Sequence, residues 1–182
     1  AALVRDKSKA KENVKHLNTQ NSEIISDSIH DITGFDNSVF IGTNEGLSVV
    51  EKNINNSYTI TNYVEEDGLP SNKVRSLFVD SKGYLWIGTN KGISVLDIKN
   101  KKITNITYIL DEMGVSDKFI RAIHEDSNGI YYIGCFLEGG LIKINPNTKE
   151  YKVYKNDEND TESISNNSVR YITEDLKGNI LI

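Results

Sequence analysis

Arg75, Arg121 and Arg170 follow one another at spacings of 46 and 49 residues, and His30 stands 45 residues before the first. Each comes directly after an apolar, β-branched residue: Ile29, Val74, Ile120 and Val169. A guanidinium offers a rigid fork of N–H donors that matches carboxylate, sulfate or phosphate oxygens two at a time. Brought to one place, His30, Arg75, Arg121 and Arg170 would bind an acidic ligand. The competing reading pairs each arginine with a carboxylate of a neighbouring unit, such as Glu125 or Glu174.

Other chemistry finds less support. The acidic run Asp157-Glu158-Asn159-Asp160-Thr161-Glu162 has oxygen ligands that suit calcium. It lacks the glycine and the distal glutamate of the helix-loop-helix calcium loop, so a solvated acidic loop is the better reading. His16, His30 and His124 are not closely spaced and form no HExxH, which argues against zinc. There is no G-x-S-x-G, and the single cysteine, Cys135, stands where earlier copies of the same pattern have Thr43 and Thr89. Neither a catalytic residue, nor a metal ligand, nor a cofactor is expected. Asp80, Asp126 and Asp175 each precede a turn and read as turn-formers bonded to nearby amides.

The elements that place these residues are copies of one unit. Residues 72–93, NKVRSLFVDSKGYLWIGTNKGI, read as two strands joined by a tight turn and followed by a third. Gly83 supplies the positive φ of that turn and is matched by Gly129 and Gly178. Asn37, the non-glycine residue that best tolerates positive φ, takes that place in the first copy. Gly88 is matched by Gly42 and Gly134, each step being 46 residues, and Trp86 by Phe40 and Tyr132, two before that glycine. A repeated aromatic of this kind reads as packing between units. A period in the forties with four short strands is the mark of a β-propeller blade, and the innermost strand, which carries the arginines, borders the channel.

The stretch VDSKGYLWIGTNKGISVLD, preceded by DGLPSNKV, resembles the two-component regulator propeller repeat. IHEDSNGIYYIGCFLEGGLIKINPNTKEYKVY follows the same pattern. The resemblance implies the extracytoplasmic (periplasmic or cell-surface) sensor part of a membrane-anchored bacterial signalling protein. Its implied partner is a carbohydrate, such as an oligosaccharide, or another small extracellular molecule. Two other readings share the fold: a propeller lyase like those that linearise streptogramins, and a protein-interaction scaffold.

The expected fold is therefore all-β, with about four blades of four-stranded antiparallel sheet that form a fragment of a larger propeller. Residues 1–21 make an outer half-blade, although the lysine-rich stretch also fits a short amphipathic helix. Whole blades span 28–64, 73–108 and 119–154, with Lys102–Tyr108 as an outermost strand, and 168–182 make an inner half-blade. Open half-sheets leave backbone groups unpaired, so self-association of the chain is expected. The chain has 182 residues, a net charge of −5 and a pI near 5.3, so no broad basic field invites nucleic acid. No stretch of about 18 apolar residues calls for a membrane span. Two connections depart from the repeat: Gly134–Gly140 is two residues longer than Gly88–Gly92, and residues 156–167 gather four carboxylates.

Overall fold

The computed structural model describes residues 2–5 and 14–182. Three antiparallel sheets of four strands each dominate the fold. The first holds β3 (Ile29–Phe35), β4 (Ser38–Thr43), β5 (Leu47–Lys52) and β6 (Tyr58–Tyr63). The second holds β7 (Val74–Val79), β8 (Tyr84–Thr89), β9 (Gly92–Asp97) and β10 (Lys102–Asn105). The third holds β11 (Ile120–Glu125), β12 (Tyr131–Cys135), β13 (Leu141–Ile144) and β14 (Tyr151–Tyr154). Each runs as a meander, its strands paired in chain order. Two-stranded ribbons lie at either end, formed by β1 (Ala2–Arg5) with β2 (Val14–Leu17) and by β15 (Thr173–Glu174) with β16 (Ile180–Leu181). Of the half-blade expected over 1–21, residues 1 and 6–13 lie outside the described residues; residues 2–5 and 14–17 pair as strands, not as a helix, and 18–21 turn.

The strands β3, β7 and β11 adjoin one another, so the first strand of each sheet lies at the centre of the arc. Cores alternate with sheets. Phe40, Leu47, Leu77, Leu85, Ile87 and Leu96 form one cluster from the first and second sheets. Ile93, Ile120, Ile133 and Ile142 form another from the second and third. A sheet packed on both faces has apolar residues at alternating and intervening positions alike, which is why Val74, Leu77, Phe78 and Val79 do not alternate cleanly. The fold is an all-β propeller arc.

Turn chemistry follows the glycines, with one correction. Gly83, Gly129 and Gly178 adopt φ of 80°, 76° and 83°. In the first sheet the positive φ falls on Asp36 (51°), not on Asn37. Phe35 pairs directly with Ser38, so that hairpin has only two loop residues and turns one position earlier than its glycine-bearing copies. Aspartate tolerates the left-handed region nearly as well as asparagine.

The chain departs from the expected strands in two further places. Lys102–Tyr108 is a strand only as far as Asn105, and Tyr108–Glu112 forms a short helix, α1. The Asn105 side chain accepts the Thr107 amide at 2.9 Å and Thr107 Oγ1 accepts the Ile93 amide at 3.1 Å, which ends the pairing. The helical turn then drives Leu110, fully buried, into the core between the second and third sheets. Residues 168–182 pair only briefly, through Thr173 with Leu181 and Glu174 with Ile180.

Candidate functional site

His30, Arg75 and Arg121 occupy the same irregularity in three successive strands. Pairing of β3 with β4 skips from Ile29 to Asp31, of β7 with β8 from Val74 to Ser76, and of β11 with β12 from Ile120 to Ala122. The skipped residue is each time the candidate ligand. A bulge inserts an unpaired residue and re-aims its side chain, while the apolar residue before it keeps its inward place. The arginines come out at the channel for this reason, although Val74 and Ile120 beside them are fully buried.

All four residues line one cleft of about 430 Å³ built from the innermost strands, together with Asp31, Phe78, His124 and Tyr171. Arg75 is hydrogen-bonded to His30 Nε2, which also contacts Asn44 Oδ1 at 2.8 Å. Burial, and after it the positive charge of Arg121, hold the Arg75 guanidinium below its ordinary pKa. The buried Arg75 Nε and His124 Nε2 have no hydrogen-bond partner among the described residues. Aromatic rings support the guanidinium groups from the rim. Arg75 lies 5.8 Å from the Phe119 ring centre and Arg170 lies 5.0 Å from that of Phe136.

The carboxylates offered by sequence as partners are engaged elsewhere. Glu125 accepts the Ser81 amide at 2.7 Å and its hydroxyl at 2.9 Å, while Glu174 accepts those of Ser127 at 2.8 and 2.6 Å. They join each hairpin to the next blade. Asp31 accepts the Leu77 amide at 2.7 Å. Among the described residues, neither Arg121 nor Arg170 forms an ion pair with a carboxylate.

The longer Gly134–Gly140 connection reaches the site through Phe136, which packs beside Arg170. Asp117 Oδ2 accepts the amides of Leu137, Glu138 and Gly139 at 2.8, 3.0 and 3.2 Å, and the loop so held places Phe136 against Phe119 and under Arg170. Phe119 and Phe136 escaped sequence reasoning, because they lie just outside the repeated positions. The acidic connection is a set of turns in which Asp157 and Asp160 accept the amides of Asn159 and Glu162.

Cys135, in contrast, is fully buried at the end of β12. Burial, then the charge of Asp117, push its thiol from 9.0 up to about 12, with Lys155 opposing. Since the unfolded chain loses this proton first, stability should fall as pH rises from about 9 towards 12, by up to about 1.4 kcal/mol per pH unit. Urea titrations across that range should show the slope flatten in Cys135→Thr. Threonine is the residue of Thr43 and Thr89, whose hydroxyls donate to the carbonyls of Gly46 and Gly92 at 2.8 and 3.0 Å. An equal alkaline slope in that variant would assign the effect to Tyr131 and Tyr132, whose phenols burial also raises.

Comparison with known proteins places the architecture. The Two component regulator propeller family matches residues 68–91. No curated protein sequence matches the chain. Among solved structures, the extracellular domain of a hybrid two component system from B. thetaiotaomicron superposes with a TM-score of 0.72 at 24% identity, over 92% of this chain and 20% of that one. Virginiamycin B lyase from Staphylococcus aureus gives 0.61 at 19% identity, over 90% and 50%. An auxiliary nutrient binding protein from Bacteroides thetaiotaomicron gives 0.59 at 14%, over 85% and 36%. The chain thus spans one fifth to one half of the length of these structures. At such identities they share a fold with it. Among the described residues no helix is long and apolar enough to cross a membrane. One hairpin of this chain, residues 68–91, thus matches the two-component regulator propeller repeat, and equivalent hairpins recur in the flanking sheets of the propeller arc.

Proposed function

We propose that the chain is a ligand-binding segment of a sensory propeller, in the extracytoplasmic part of a membrane-anchored bacterial signalling protein. Its ligand is a small molecule with acidic groups, such as an oligosaccharide bearing carboxylate or sulfate. One observation carries this reading: bulges in consecutive inner strands deliver His30, Arg75 and Arg121 to one cleft, where the arginines have no carboxylate partner among the described residues. Two guanidinium groups that repel each other gain most from an anion between them. The rings of Phe119 and Phe136 pack beside the Arg75 and Arg170 guanidinium groups and help to hold them in place for such a ligand.

Calorimetric titration with a sulfated or uronic-acid disaccharide, beside its neutral counterpart, tests the proposal. The acidic sugar should bind, the neutral one should bind at least about tenfold more weakly, and added salt should narrow the gap. Arg121→Gln should cost about tenfold in affinity for the acidic sugar, a charged hydrogen bond's worth, and leave the thermal midpoint within a few degrees. Equal binding of both sugars, or an Arg121→Gln variant that binds as well as the parent, would overturn it.

A further inference from the structure

Away from the channel, neighbouring blades diverge and leave a wedge between their outer strands. Between the first and second blades that wedge is filled. Phe40, Val49 and Tyr63 face Leu96 and Ile98, Lys101 Nζ lies 2.7 Å from Glu51, and only about 10 Å³ remains. Between the second and third blades the equivalent faces carry Trp86, Val95 and Ile106 opposite Ile144 and Pro146, and they enclose about 610 Å³. A cavity of that size lies in the range of small-molecule sites, roughly 300–1,000 Å³.

Two differences keep it open. Asp97 stands where the first blade has Glu51, one methylene longer, and its carboxylate is taken by the amide and side chain of Asn100 at 3.0 and 2.7 Å. Lys149 stands where the second blade has Lys101, with the same left-handed backbone (φ 62° and 54°). The first blade's lysine-closing contact therefore has no counterpart, and Lys149 forms no ion pair among the described residues. In addition, α1 roofs the wedge instead of filling it, tied across by Tyr151 Oη, which donates to the Glu112 carbonyl at 3.4 Å.

The wall chemistry is specific. Trp86 and Tyr131 stack at 4.6 Å and present an aromatic floor, with Asp80 beneath them already bonded to both. The charged groups of the lining are Lys82 and Lys149 against Glu112 and the already bonded Asp80, around a largely apolar interior, and Lys149 has no ion pair among the described residues. We propose that this inter-blade wedge is a second binding site, for a small aromatic acid whose ring packs on Trp86 and Tyr131 and whose carboxylate meets Lys149. It is separate from the channel cleft and does not depend on the ligand of that cleft.

The chain has one tryptophan, so its indole N–H resonance reports on this site without assignment. Titration with 2-naphthoate should shift that resonance, and 2-naphthalenemethanol, the neutral probe, should shift it with weaker affinity. Lys149→Gln should weaken 2-naphthoate about three- to fivefold, the worth of an exposed ion pair, and leave the alcohol within twofold. Thr104→Phe, at an exposed strand position that borders the wedge, should occupy part of it and weaken the response to both probes with little loss of thermal stability. An indole resonance unmoved by millimolar 2-naphthoate would overturn the site. So would a folded Thr104→Phe variant that binds both probes as tightly as the parent. Equal affinities for acid and alcohol, unaltered in Lys149→Gln, would overturn the acid assignment.

Discussion

Asp80→Ala is expected to lower stability by about 3–5 kcal/mol, the range for breaking a buried, charged hydrogen-bond network. The carboxylate is 5% exposed and accepts four hydrogen bonds. Oδ1 takes the amides of Lys82 and Tyr84 at 3.0 and 2.9 Å and so holds the hairpin turn. Oδ2 takes Trp86 Nε1 at 2.9 Å and Tyr131 Oη, from the next blade, at 3.0 Å. Alanine strands all four donors, and the indole has no way to become an acceptor. Asp126 holds its turn likewise through the amides of Asn128 and Ile130, but its aromatic partner, Tyr132 Oη, lies at 3.3 Å and comes from its own blade. Asp126→Ala should therefore cost less, about 1–2 kcal/mol. Asp175, bonded only to its own turn, should cost least of the three. Urea midpoints at constant slope would test the ranking. Equal losses at all three positions would mean that the turn alone, without the link between blades, carries the effect. In Asp80→Ala the Tyr131 phenol should also titrate lower, because that hydrogen bond is the second cause of its raised pKa after burial.

The repeat explains why so much of this fold was legible. A glycine with positive φ, an aromatic three residues later and a second glycine two beyond that mark one hairpin, and the hairpin sets the blade. The same period placed His30, Arg75, Arg121 and Arg170 in equivalent positions, and they share a cleft for that reason. The cause of their exposure was hidden. A bulge leaves no residue-type signature here beyond a polar residue directly after an apolar, β-branched one. Residues that do not repeat were harder still. Helix α1 arises from Asn105 and Thr107 bonding locally and from Leu110 finding a core position, neither of which a strand-like run such as KITNITY announces. The shift of positive φ from Asn37 to Asp36 depends on a hairpin shortened by one residue. The open wedge turns on the difference between Glu51 and Asp97, a single methylene whose effect depends on where Lys101 and Lys149 stand.

Gly42→Ala should be the second costly substitution, although Gly42 needs no unusual backbone. A Cβ built there would lie 2.7 Å from Val74 Cγ1, 3.4 Å from Val74 Cβ and 3.5 Å from Leu77 Cδ1. Every one of those atoms belongs to the next blade. The inner strands converge towards the channel, so the second glycine of each repeat marks where one blade touches the following one. Val74 is fully buried and cannot swing away, so the added methyl should cost about 2–3 kcal/mol, as overpacked cores do. Val74→Ala alone should cost about 2 kcal/mol by leaving a cavity. In the double variant the new methyl enters that cavity, and the loss should fall short of the sum by about 1 kcal/mol or more. Gly134→Ala supplies the contrast. Its Cβ would meet Val169 Cγ1 at 2.7 Å but also the Val169 carbonyl oxygen at 2.9 Å, an atom that side-chain truncation does not remove. Val169→Ala should therefore rescue Gly134→Ala far less than Val74→Ala rescues Gly42→Ala. Strict additivity at Gly42 and Val74 would refute contact between blades as the reason for the repeated glycine. A rescue at Gly134 as complete as that at Gly42 would show that the inner strands can separate to admit the methyl.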